Sequence, residues 1–251
     1  MKRYLRIIKN NLRSVFSIGS LCCTVIIFIY VFVVKSNSIS NVHSFSEVIN
    51  MIFRGPTNFS DNLIEVFTWG LYQFFLIYII GNFFFKELDI RSIYTLPRLG
   101  NKLYWHICLQ ITSFLACIIY FVFGTSIMFI CASVININFN LNGISEIFKI
   151  IGLLSLSSYY LITVYIFIIL VSRKHNQSFL VLITTLFLSI TLGDILKIDK
   201  YLPFNQGILS KHIISNFSYQ WSFLFLALLI IVNLIFINRI IVKRDLFQII
   251  H

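Results

Sequence analysis

Chemistry in a protein interior needs side chains that exchange protons, hold metal or attack carbonyl carbons, and this chain has few. Its 251 residues include 9 Asp and Glu, 5 His and 5 Cys. Asp194, preceded by Gly193 in a long apolar run, would supply one carboxylate of an acid–base dyad. No second aspartate stands at comparable depth, and a lone carboxylate cannot share a proton with another. No HExxH offers zinc ligands, no GxSxG offers a nucleophile elbow, and no GxxxxGK[ST] offers a phosphate-binding loop. Cys22, Cys23, Cys108, Cys117 and Cys131 lie in or beside apolar runs without CxxC or Cys/His zinc spacing, which suits free thiols packed as small hydrophobes. His106 and His175 fall at ends of apolar runs, His43 and His212 in the loops between them. Each is expected to be a solvated loop residue rather than part of a proton relay.

The elements that position these residues follow from composition. Hydrophobic residues make up 58% of the chain and charged ones 12%, against about 25% charged in a soluble domain. Such a chain cannot cover a water-exposed surface, so the expected class is an all-α polytopic membrane protein. Six runs have the length of a hydrocarbon-spanning helix: 15–34, 64–85, 106–135, 147–171, 179–196 and 221–237. What remains is too short for a separate soluble domain. The loop 35–63 is polar, with Pro56 and Asn58.

The net charge of +11 would suit nucleic acid in a soluble protein. Here the cations sit in short loops beside apolar runs, which points to membrane topology and excludes a nucleic-acid partner. Fourteen of the 20 Lys and Arg fall in 1–14, 86–105, 172–178 and 238–251. The six others are Lys35, Arg54, Lys149, Lys197, Lys200 and Lys211. The positive-inside rule then puts both termini in the cytoplasm. The first apolar run is too long for a cleaved signal peptide and has no small-residue cleavage site after it.

Two segments depart from simple spans. In 1–14, Lys2, Arg6, Lys9 and Arg13 recur at helical spacing, with Tyr4, Ile8, Leu12 and Val15 on another face. This is the pattern of a basic amphipathic helix lying at the inner membrane surface. The second is the polar break 86–105. Glu87 and Asp89 favour a helix start, Ile90, Ile93 and Tyr94 make an apolar face, and Pro97 ends it. Leu99-Gly100-Asn101 is a turn signal, and Tyr104 and Trp105 suit headgroup depth. A passive loop needs only about four to six residues. A short helix with a few apolar anchors rimmed by charge suits a groove on a partner.

Six spans, a basic amphipathic start and a charged helix after the second span resemble the ABC-2 type permeases of bacterial ABC transporters, of the type V exporter kind. The stretches "IYTLPRLGNKLYWHICLQ" and "INRIIVKRDLF" (Ile237 to Phe247) look like the corresponding parts of that family. The resemblance implies a permease subunit paired with a second, identical or homologous, permease subunit in the lipid of the cell membrane. It implies cytoplasmic ABC ATPase subunits beneath, which carry ATP and Mg; this chain itself needs no cofactor and is no enzyme. By the same resemblance Glu87, Leu88, Ile90, Arg91, Ile93, Tyr94 and Arg98 contact the ATPase. The stretch from Leu202 through Ile214 would dip back into the outer leaflet as short helices.

The cargo is expected to be amphipathic, by analogy a peptide, in antimicrobial peptide export or self-immunity. The Ile/Asn/Phe/Lys bias suggests a Gram-positive source. A non-transporting immunity or sensor subunit is the alternative, and a membrane enzyme the least favoured. Asp194 has two open roles: an interfacial carboxylate reaching water or a lysine such as Lys197, or a position on the translocation path.

Overall fold

Apolar runs in lipid must satisfy their own backbone, and they do so here as helices. The computed structural model describes residues 2–39, 44–57, 63–88, 101–135, 137 and 143–243. Among them lie nine α-helices and no strand: α1 (Lys2–Val15), α2 (Ile18–Ile39), α3 (Phe45–Phe53), α4 (Leu63–Lys86), α5 (Lys102–Val134), α6 (Ile144–Ser172), α7 (His175–Leu196), α8 (Leu209–Ile214) and α9 (Tyr219–Lys243). Two 3₁₀ turns, Asp199–Tyr201 and Pro203–Asn205, sit between α7 and α8. Six helices (α2, α4, α5, α6, α7 and α9) are long and apolar enough to cross a bilayer. The chain is a multi-pass membrane protein by that measure.

The helix α6 is the hub. In its most apolar 18-residue stretch 72% of positions are buried, against 28% in α2 and α7 and 22% in α9. It packs on α4, α5, α7 and α9. Hydrophobic gain alone does not drive helices together in lipid, so close packing and neutral polar contacts do the work. Gln73 Nε2 on α4 donates to Ser158 Oγ on α6 at 2.8 Å. Tyr120 Oη on α5 donates to the Tyr72 carbonyl on α4 at 3.0 Å. Asn233 Nδ2 on α9 donates to Thr163 Oγ1 on α6 at 3.3 Å. Gly81 on α4 lets the Tyr165 ring of α6 lie against its backbone, where a Cβ would collide with the ring.

Several expectations are corrected. The span placed at 15–34 starts at Ile18 instead, after α1 ends at Val15, and α2 runs on to Ile39. Ser17 Oγ accepts from Ser20 N at 3.3 Å across that break. The polar loop 35–63 contains α3, whose Phe45, Val48, Ile49, Ile52 and Phe53 are all buried. Its start carries the Ser44-x-x-Glu47 signature, with Ser44 Oγ accepting from Glu47 N at 3.4 Å. Lys35 Nζ closes its other end by donating to the Met51 and Ile52 carbonyls, both at 3.1 Å. Glu87 and Leu88 follow α4 directly in a wider π-type turn and are each 2% exposed. Ile90, Arg91, Ile93, Tyr94 and Arg98 lie outside the described residues.

Candidate functional site: a buried charged knot beside the short helices

The chain between α7 and α9, residues 197–218, mixes apolar with polar residues and is broken by Pro203 and Gly207. It folds back onto the bundle as the two 3₁₀ turns and α8. Lys197, the residue after α7, takes φ +55°, the left-handed conformation common where a helix ends. That turn sends Asp199 back beside Gly193, where a Cβ would strike the Asp199 carboxylate and the Asn205 amide. Gly193 is thus required by the close approach of the returning chain, and the Gly193-Asp194 pair has a packing cause.

Lys211, on α8, is completely buried. Its ammonium forms an ion pair with Asp194 Oδ1 and lies 3.5 Å from Asp199 Oδ1. The Asp199 side chain is 4% exposed and that of Asp194 22%. Neutral donors complete the coordination of Asp199. Asn205 Nδ2 donates to its Oδ1 at 2.6 Å, and Ser215 Oγ to its Oδ2 at 3.0 Å. Ser189 Oγ donates to Asn205 Oδ1 at 3.2 Å, tying the set to α7. A buried charge is tolerable only when paired and hydrogen-bonded, and each member here is both or is held by one that is.

Gln206 fastens the neighbouring turns, with Nε2 donating to the Lys200 carbonyl at 2.9 Å and Oε1 accepting from Ser222 Oγ at 2.7 Å. His212 is 7% exposed, with Nε2 2.9 Å from the Gln206 carbonyl and Nδ1 3.2 Å from that of Phe217. Burial lowers its pKa; the two carbonyls act in the opposite, weaker direction. Ser210 joins this region to the segment after α3, its N–H donating to the Arg54 carbonyl at 2.8 Å and its Oγ to that of Pro56 at 2.7 Å.

Two carboxylates around one ammonium do not form an acid–base dyad. Both accept from fixed donors. Among the described residues no three His, Cys, Asp or Glu converge as metal ligands. The arrangement clamps a folded-back segment onto α7. The chain matches no family model, no curated protein and no solved structure.

The sequence-derived sites are therefore kept apart or left undescribed. Asp194 finds Lys211, not Lys197, because α8 brings Lys211 underneath it. Glu87 and Leu88 are buried at the end of α4, and the rest of the expected contact set lies outside the described residues. The solvated-loop expectation fails for His106, 1% exposed, and His212, and for His175, which is half-buried with Nδ1 2.6 Å from Tyr165 Oη. Asp199, Asn205 and Lys211 were not singled out by sequence. The available signal was two acids, Asp194 and Asp199, followed by a lysine, Lys211, flanked by apolar residues.

Proposed function

We propose that this chain is the permease subunit of an ATP-driven exporter of the ABC-2 type, moving or extracting an amphipathic cargo of the peptide class. It works with a second permease subunit, identical or homologous, and is powered by ATPase subunits that carry ATP and Mg. In this reading both termini and the basic end of the bundle face the cytoplasm, with α1 on the inner membrane surface. The observation that carries the reading is the polar break after α4. Glu87 and Leu88 continue α4 and are packed into the bundle, so a force applied to residues 89–100 has a stiff path into α4 and on to α6. The sequence holds no phosphate loop of its own, which makes an outside source of work necessary. The folded-back segment between α7 and α9 supports the same reading. Asp194, the more exposed of the two carboxylates in the knot, is in this reading the group that meets cargo at that end.

Purification of the tagged chain in mild detergent tests this. Vanadate-sensitive ATP hydrolysis is expected to co-elute with it, and Ile90→Asp or Arg91→Glu is expected to remove that activity while the chain stays folded. A folded, homogeneous chain with no co-eluting hydrolysis in any mild detergent overturns the proposal.

A further inference from the structure

Away from the charged knot, the start of α2 and the end of α4 enclose a pocket of about 360 Å³. The membrane-length stretch of α2 opens at Ile18 and that of α4 closes at Lys86. Gly19 and Lys86 both line the pocket, so two antiparallel helices meet there at one edge of the hydrocarbon layer. The lining changes with depth. Ser14, Asn82 and Lys86 stand at the mouth, and Ile79 and Phe75 continue the α4 wall inward. From Lys86 to Phe75 that wall runs about 16 Å, at 1.5 Å per residue, which is about half of a 30 Å hydrocarbon core.

The side chains at the mouth are unused donors. Lys86 is exposed, and its ammonium has no ion pair or hydrogen bond among the described residues. The Asn82 amide and the Ser14 hydroxyl, both half-buried, have no hydrogen bond there either. Among the described residues no Asp or Glu lines the pocket. A cation and two neutral donors with no acid beside them are complementary to an anion, and an ammonium makes its strong hydrogen bonds to phosphate or carboxylate. Position narrows the choice. The anionic groups that crowd the edge of a hydrocarbon layer are lipid phosphates.

We infer that this pocket seats the phosphate end of an anionic phospholipid. The phosphate accepts from Lys86, with Asn82 and Ser14 as the neutral donors, and the start of an acyl chain runs inward past Ile79 towards Phe75. The unpaired cation selects an anionic over a zwitterionic lipid. The apolar inner wall selects an amphiphile over a free phosphate ester.

The test uses the full chain in mild detergent, titrated with phosphatidylglycerol or phosphatidylcholine and read by native mass spectrometry. Phosphatidylglycerol is expected to bind more tightly. Lys86→Gln is expected to weaken it about two- to fivefold, the worth of one exposed ion pair. Lys86→Arg keeps the affinity, and so does Lys174→Gln, an exposed cation outside the pocket. Location is read from Cys23, which lines the pocket, against its equally exposed neighbour Cys22, which does not. Phosphatidylglycerol is expected to slow maleimide modification of Cys23 relative to Cys22, and less so in Lys86→Gln. Equal binding of the two lipids, or equal losses in Lys86→Gln and Lys174→Gln, overturns the inference and leaves only diffuse attraction to a basic surface. Protection of Cys23 by glycerol 3-phosphate as strong as that by phosphatidylglycerol overturns it in favour of a soluble phosphate ester.

Discussion

Lys211 is the residue on which the knot turns. It is fully buried beside two carboxylates, one of them almost as deep. Replacing it by Met removes the cation and leaves Asp199 and Asp194 facing each other. Breaking a buried pair in this way costs about 3–5 kcal/mol. Lys211→Met is expected to lower the melting temperature sharply in detergent. Adding Asp199→Asn should recover part of the loss, and additive effects would show that the ammonium and carboxylate do not interact. His212 gives the region a pH dependence. Its folded pKa lies below the ordinary imidazole value because burial disfavours the charged ring. The unfolded chain therefore takes up the proton first as pH falls. His212 costs nothing at pH above about 7, and stability declines as pH drops through about 6.5 until the folded form protonates too. Melting curves from pH 7.5 to 5 are expected to fall more steeply for the native chain than for His212→Gln. Parallel curves would remove His212 as the cause.

The spanning helices were legible because a run of about twenty apolar residues has few other solutions, and their ends moved by only a few residues. What stayed illegible depended on return paths through space. Nothing in the order of residues says that α8 brings Lys211 beneath Asp194, so the nearer Lys197 looked like the partner. His106 and His212 looked solvated because each borders a polar stretch, yet one packs into a helix bundle and the other under its own loop. The helix α3 was written in the sequence as Ser44-x-x-Glu47 followed by apolar residues at helical spacing. Its short length and polar neighbours hid it. Packing between spans is as exacting as the elements themselves. Gly81→Ala would drive a methyl into the Tyr165 ring, an overpacking cost of about 1–3 kcal/mol. A lower melting temperature is expected, with partial recovery in Gly81→Ala/Tyr165→Leu. An unchanged melting temperature for the single variant would mean that α4 and α6 do not meet as described.

If each of the six apolar helices among the described residues crosses the bilayer, the chain returns to the side on which it began. Reporter fusions at the N- and C-termini are expected to give the same compartment signal, and a fusion after Lys200 the opposite one. Opposite signals from the two ends would require one of the six helices not to cross. The two bonds from Ser210 to the Arg54 and Pro56 carbonyls matter at this scale. They fasten the connector leading into α4 to the connector leading into α9, stretches about 150 residues apart in sequence. Any rearrangement that spreads α4 from α9 at this end must either carry both connectors as one block or rupture that suture, and a cysteine pair at 56 and 210 would let an oxidant decide which.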